Sequence, residues 1–230
     1  MKKIILACLA VMSLCFAELR VDTQEKKVDI GFFIGGGIGV GANAMNFLSI
    51  PDTATGALYD KNISYASFVA SIKAGIYHYF TPMIGLRGYY NLDLNVLPMD
   101  EFSVNGQSIT PYIFSASHTI NADVIVNVFT HGNIDVAVIG GIGMGAVAGE
   151  FLAKNDTLFY SFNEVKSFLD FEFRFNLGAR AMFDKKYGVE FMMKLPVVGT
   201  TAWKNATAQS IASAKYSPYY FTIDFVMERF

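Results

Sequence analysis

The chain has 230 residues, 53% of them hydrophobic and 17% charged, with 21 Phe and 12 Tyr. Soluble domains carry about 25% charged residues, so this balance favours a membrane class. The formal charge of −2 offers no basic surface for a nucleic-acid partner.

Residues 1–17, MKKIILACLAVMSLCFA, place Lys2 and Lys3 before an apolar run that ends at the small residue Ala17. That is the pattern of a secretory signal peptide, cleaved near Ala17. Lipidation is disfavoured, because Cys15 follows Leu14 and Cys8 comes too early. Both cysteines fall in this segment, which leaves the mature chain without a disulfide, a cysteine metal site or a thiol nucleophile. Without Lys2 and Lys3, 16 basic residues face 20 acidic ones, a formal charge of −4. The later apolar runs, Ile30 to Ala42 and Val136 to Gly149, are rich in glycine and shorter than the roughly 20 residues of a membrane helix.

Residues 18–27 are polar and read as a periplasmic lead-in, and residues 28–230 read as strands. Val28 to Val40 alternates Val28, Ile30, Phe32, Ile34, Ile38 and Val40 with Asp29, Gly31, Phe33, Gly35, Gly37 and Gly39. Period two of this kind marks a strand with one oily face. Gly41 to Ser64, with Pro51, Asp52, Gly56 and Asp60, is a first long loop. Tyr65 to Phe80 and Ile84 to Asn95 form a hairpin about Thr81-Pro82-Met83, with Lys73, Arg87 and Asp93 on the polar face. Val96 to Pro111 is the second long loop. Tyr112 to Phe129 sets Phe114, Ala116, Ile120, Ala122, Val124, Val126 and Val128 against Ser115, Ser117, Thr119, Asn121, Asp123 and Asn127, while His118 falls on the oily side.

A tight turn at Thr130 to Asn133 leads to Ile134 to Gly149, where Asp135 is polar-facing. Its GGIGMGA, 140 to 146, matches GGIGVGA, 36 to 42, except for one apolar exchange. Shared origin and one steric demand met twice both account for that match. Glu150 to Glu164 is the third long loop. Leu169 to Phe183, LDFEFRFNLGARAMF, has the longest alternation, with Asp170, Glu172, Arg174 and Arg180 on one face and Phe171, Phe173 and Phe175 on the other. A short turn at Asp184 to Tyr187 precedes Val189 to Val197, which places Glu190 and Lys194 on the polar face. Val198 to Ser217 is the fourth long loop, and Pro218 to Phe230 closes the chain with Asp224 and Glu228 on the polar face.

Eight strands thus alternate with long and short connections, as in bacterial outer-membrane barrels with short periplasmic turns and long extracellular loops. Aromatics gather at the strand ends: Tyr77, Tyr79, Phe80, Phe129, Phe183, Tyr187 and Phe230 near the short turns, and Tyr65, Tyr112, Phe162, Trp203, Tyr216 and Tyr219 near the long loops. They predict two girdles at the headgroup levels. The predicted fold is all-β, an eight-stranded antiparallel up-and-down transmembrane β-barrel.

In its alternation, its signal segment and its terminal YYFTIDFVMERF, the chain resembles the small eight-stranded outer-membrane barrels of Gram-negative bacteria, the OmpA/OmpX type, and the expanded outer-membrane families of epsilonproteobacteria. The resemblance implies an outer-membrane location among lipid and lipopolysaccharide, and recognition of the terminal Phe230 by the barrel-assembly machinery. Phe230 is out of phase with Met227, Phe225 and Ile223, a departure that a bulge at Glu228 and Arg229 would repair.

The predicted inward set is Lys73, Arg87, Asp93, Asp123, Asp135, Asp170, Glu172, Arg174, Arg180, Glu190, Lys194 and Asp224. Eight strands enclose just enough space for side chains, so these charges predict a salt-bridged plug rather than acid/base machinery. Turned to lipid, Arg174 and Arg180 would each cost roughly 2–4 kcal/mol. Pairing about the Asp184 to Tyr187 turn puts Arg180 opposite Glu190 on the inside.

Three other patterns are weaker. The loose GxGxxA in both glycine runs lies within strands with no helix following, so it signals space rather than a dinucleotide loop. His118 invites comparison with lipid A deacylases, but their His-x-Ser pattern would need serine where Ile120 stands. Asp60-Lys61-Asn62-Ile63-Ser64 fits an extended bacterial glycosylation sequon at Asn62. His78, His118 and His131 have no metal-ligand spacing, and no cofactor is called for. The sequence predicts a non-enzymatic role in surface contact, adhesion or envelope integrity, with a host or surface ligand held by the loops. A narrow pore is the second reading and a lipid-modifying enzyme the third.

Overall fold

A computed structural model describes residues 30–51, 58–98, 102–104, 107–154, 166–206 and 211–229. The predicted signal peptide, the lead-in and Phe230 lie outside the described residues. Among those residues ten strands occur: β1 (Ile30–Pro51), β2 (Leu58–Tyr79), β3 (Ile84–Pro98), β4 (Phe102–Val104), β5 (Gln107–His131), β6 (Ile134–Lys154), β7 (Lys166–Phe183), β8 (Tyr187–Pro196), β9 (Thr200–Ala206) and β10 (Ile211–Arg229). Eight of them, β1, β2, β3, β5, β6, β7, β8 and β10, form an antiparallel up-and-down wall. It closes where β1 pairs with β10 from Phe32↔Arg229 to Leu48↔Ser213. Closure removes the sheet edges that a lipid environment would leave unsatisfied.

Alternation fixes the two faces. Phe32 is 70% exposed, Ile120 70% and Leu169 76%, whereas Arg87 is 1% exposed and Glu190 and Asp224 are fully buried. A sheet with its phenylalanines outside and its charges inside is at rest only in hydrocarbon, where apolar side chains face lipid and polar ones fill the lumen.

The long connections are shorter than the sequence suggests. β1 continues to Pro51 opposite Leu58, and β9 and β10 form a further hairpin between Thr200↔Tyr216 and Ile211↔Ala206. β5 alone has 25 residues, on the order of 80 Å of extended chain at about 3.4 Å per residue. The apolar band of such barrels is about 25 Å tall, so even tilted strands project well past it. These outer segments carry no oily face, because their ladders need only backbone partners, and alternation therefore does not reveal them. Asn62 of the sequon lies here, exposed, opposite Asn46 in the β1–β2 ladder.

The short turns differ in chemistry. Gly132 takes φ 57° in the turn after β5, where glycine pays no Cβ penalty. Asp184 and Lys185 adopt φ 51° and 53° in the turn before β8. A register shift between Asn127 and Phe129 turns Phe129 rather than Val128 fully outward. The β1–β10 register runs unbroken through Arg229, so the bulge expected at Glu228 and Arg229 does not occur among the described residues.

Among the described side chains, which do not include Phe162, Trp203 and Phe230, the aromatic girdles are thinner than predicted. Phe80, Phe129, Phe183 and Tyr187 are exposed at the short-turn end, and Tyr112 and Tyr219 toward the other. Tyr77 and Tyr216 are buried in the lumen and Tyr79 is half-buried there. Each has the parity of the inward residues of its strand, which decides orientation ahead of any preference of tyrosine for an interface.

Candidate functional site

The lumen gathers the charged residues. Five cations, Lys73, Arg87, Arg174, Arg180 and Lys194, meet eight carboxylates, Asp93, Asp123, Asp135, Asp170, Glu172, Glu190, Asp224 and Glu228, all in the inward phase of their strands. All but Asp135 and Asp170 fall into three clusters.

The first centres on Glu190 of β8. Its Oε2 accepts from Lys73 Nζ at 2.5 Å and its Oε1 from Arg87 Nη1 at 2.6 Å. Lys73 also pairs with Asp224 at 2.7 Å, and Arg87 donates Nε and Nη2 to Asp123 Oδ2 at 3.0 and 2.9 Å. The Arg87 guanidinium sits 5.4 Å from the ring centre of Phe33 and 4.9 Å from that of Tyr89. Tyr89 completes the shell by donating its hydroxyl to Asp123 at 2.9 Å. Fixed geometry and full pairing are what a buried charge needs to avoid a penalty of several kcal/mol.

The second cluster lies farther toward the long-loop end. Arg174 Nη1 and Lys194 Nζ share Asp93 at 2.7 and 2.5 Å. Arg174 Nη2 donates to Thr119 Oγ1 at 2.7 Å, and Lys194 donates to Ser71 at 3.0 Å and Asn91 at 3.2 Å. Glu172 stands 3.5 Å from Arg174 and accepts the Ser117 hydroxyl. The third cluster, near the short turns, joins Arg180 to Glu228 at 2.6 Å and to the Tyr79 hydroxyl.

The predicted set therefore divides. Lys73, Arg87, Asp93, Asp123, Glu172, Arg174, Arg180, Glu190, Lys194 and Asp224 enter the clusters. Asp135 instead accepts from Thr130 Oγ1 at 2.7 Å, and Asp170 from the backbone amides of Phe171 at 2.8 Å and Thr201 at 2.9 Å. Arg180 is the ladder partner of Glu190 on the inward face, as its spacing from the turn predicts. Its ion partner is nevertheless Glu228, because Glu190 is taken by Lys73 and Arg87 from across the barrel. Glu228 was missing from the predicted set although its parity with Asp224 marked it.

On the outer face His118 is exposed, and its Nδ1 lies 2.5 Å from the Tyr90 hydroxyl. Ile120, where the deacylase pattern would need serine, is outward as well. Among the described residues no group of three or more His, Cys, Asp or Glu could hold a metal ion.

A closed eight-stave wall, apolar outside and filled with paired charges inside, defines a β-barrel protein of the outer membrane. The model of the Helicobacter outer membrane protein family matches residues 71–225, and the chain belongs to that family. Comparison with curated proteins gives no match. Among solved structures, the chain is similar to Ail, the attachment invasion locus protein of Yersinia pestis, at 10% identity and TM-score 0.38, over 86% of this chain and 99% of that one. It is similar to Neisserial surface protein A at 8% identity and TM-score 0.41, over 88% and 99%. It is similar also to a major outer membrane protein from Thermus thermophilus at 10% identity and TM-score 0.47, over 87% and 99%.

Proposed function

We propose that this barrel acts without catalysis, as a closed anchor whose outer hairpins make surface contacts in adhesion or envelope integrity. The observation that supports this most directly is the lumen. Its middle is crossed by Lys73–Glu190–Arg87–Asp123, all buried, with hydrogen-bond lengths throughout. On this reading such a bolt obstructs the lumen, and specificity falls to the segments of β1, β2, β5, β6, β9 and β10 that rise beyond the oily belt. A host or surface ligand would meet those segments, with lipopolysaccharide around the wall. Assembly would follow export by the residue 1–17 signal and recognition of Phe230 by the barrel-assembly machinery.

Planar bilayers containing the purified barrel test the anchor reading. The expected record shows no conductance steps above the lipid baseline, and steady ion current at moderate voltage would replace it with a pore. Exchanging all four outer hairpins for short turns is expected to abolish surface binding while the barrel still assembles. Binding that survives the exchange would remove the contact role.

A further inference from the structure

Of the patterns that the barrel itself leaves unused, Asp60-Lys61-Asn62-Ile63-Ser64 gains most from the structure. The sequence holds three Asn-x-Ser/Thr triplets, at Asn62, Asn155 and Asn205. All belong to the outer segments: Asn62 to β2, Asn205 to β9, and Asn155 to the stretch that follows the end of β6 at Lys154. The lumen asparagines, Asn91, Asn121 and Asn176 among them, are buried, and none has Ser or Thr two residues on. Of the three triplets only that of Asn62 has an acidic residue two positions earlier, Asp60, where the others have Ala153 and Trp203.

β2 presents this sequon in an accessible form. Positions two apart share a face of a strand, so 60, 62 and 64 fall in one row, which continues the outward phase of Phe68 and Ala66. Asn62 and Ser64 are both exposed, and among the described residues the Asn62 amide has no hydrogen-bond partner. The backbone is weakly held as well. From Leu58 to Ser64 no ladder joins β2 to β3, and on the β1 side the register shifts between Phe47 and Ile50, which leaves Asp60 outside the pairing. Height decides what surrounds the site. The oily row of β2 ends at Phe68, and Asn62 lies about 20 Å of strand beyond it at about 3.4 Å per residue. At a tilt of about 45° that is about 14 Å of height, more than the headgroup layer of about 5–8 Å on each side. A bulky polar group on Asn62 therefore meets neither hydrocarbon nor the packed lumen.

We propose that Asn62 is an N-glycosylation site, modified in the periplasm by a membrane-bound oligosaccharyltransferase before the barrel inserts. The Asn62 amide nitrogen attacks C1 of the reducing-end sugar of a polyprenyl-diphosphate-linked oligosaccharide. The C–N bond forms as the bond from C1 to the phosphate oxygen breaks. The polyprenyl diphosphate leaves with that electron pair, and the amide proton passes to a base of the transferase. Asp60 and Ser64 are the side chains the transferase reads on either side of the acceptor, and the attached glycan is bulky, polar and solvated.

The test expresses the full chain in two otherwise identical bacterial strains that make the lipid-linked oligosaccharide, one with the transferase and one without it. A control acceptor protein confirms transfer in the same cells. Intact mass and glycopeptide mapping are read on protein purified from the outer membrane. The strain with the transferase is expected to yield a mass increment of one oligosaccharide on the peptide that contains Asn62, and the other strain none. Asn62→Gln, Asp60→Asn and Ser64→Ala are each expected to lose the increment and Ser64→Thr to keep it, all with the heat-modifiable mobility of a folded barrel. An unmodified Asn62 beside a modified control acceptor overturns the proposal. So does an increment that survives Asn62→Gln or Asp60→Asn, or equal modification of Asn155 or Asn205.

Discussion

Asp224 faces Gly37 across the β1–β10 ladder, and its Oδ1 lies 2.0 Å from the point where a Cβ on residue 37 would stand. Asp123 faces Gly141 across the β5–β6 ladder in the same way, its Oδ1 2.1 Å from the corresponding point. The two glycine runs that share a sequence thus answer one steric demand: each leaves room for a carboxylate on the neighbouring strand. Each carboxylate in turn holds a cation of the central cluster, Lys73 for Asp224 and Arg87 for Asp123.

Alternate glycines of one motif should therefore behave oppositely. A Cβ at Gly37 would also meet the Ile223 carbonyl at 2.4 Å, and one at Gly141 the Ala122 carbonyl at 2.4 Å, so neither side chain nor backbone can yield cheaply. Gly37→Ala and Gly141→Ala are expected to destabilise by about 1–3 kcal/mol, the usual cost of overpacking. Gly36 and Gly140 point outward, with only the Ser71 carbonyl at 3.5 Å near the first and nothing within 4 Å of the second. Gly36→Ala and Gly140→Ala are expected to be neutral or slightly stabilising. Urea unfolding in lipid vesicles, followed by gel mobility, measures all four, and equal losses at 36 and 37 would remove the steric explanation.

Glu190 should be coupled to residues far away in sequence and hardly at all to its ladder neighbour. Glu190→Gln leaves Lys73 and Arg87 each short of a carboxylate and is expected to cost about 3–5 kcal/mol, as breaking a buried pair does. In double-mutant cycles the coupling of Glu190 with Lys73 or Arg87 should exceed that of Glu190 with Arg180, since Arg180 engages Glu228. Comparable coupling in all three cycles would mean that the ladder, not the cross-lumen bond, sets the pairing.

The contrast between these pairs also explains what the sequence made legible. Inward or outward placement follows from parity within one strand, so Lys73, Arg87, Asp93, Glu190 and Asp224 could be sorted one strand at a time. Partnership could not, because Lys73 and Glu190 are 117 residues apart and meet only once the β1–β10 closure fixes the stagger of the whole wall. The outer hairpins were missed for a different reason. Residues such as Asn43, Ser64 and Thr200 form strand by backbone pairing alone, without an oily face to announce it. Tyr77, Tyr79 and Tyr216 were misplaced because composition near a strand end was weighed above the parity that settles it.

Depth in the membrane should appear in a scan of the outer face. Phe175 is opposite Ile142, in the middle of the outward apolar run of β6, whereas Tyr112 lies near its long-loop end. Phe175→Arg is expected to cost about 2–4 kcal/mol and Tyr112→Arg about 0–1, following the distance of each from the midplane. Reversible folding into vesicles reports both. A small loss at Phe175 would mean that something other than hydrocarbon covers that face.

The pair Tyr90 and His118 tests how a polar group is tolerated against lipid. Water is absent there, so each partner satisfies a group that would otherwise cost about 1–3 kcal/mol to leave unpaired. Tyr90→Phe leaves the His118 ring without its hydroxyl partner and is expected to destabilise by an amount in that range. His118→Leu strands the Tyr90 hydroxyl and should lose a similar amount, partly offset by the gain of an apolar side chain. The double variant Tyr90→Phe, His118→Leu removes both polar groups together and should be at least as stable as the parent, because an apolar pair suits hydrocarbon better than a hydrogen-bonded one. Equilibrium unfolding of the four proteins in the same vesicles gives the cycle. Two single losses that simply add in the double variant would show that the hydroxyl and the ring nitrogen do not sustain each other.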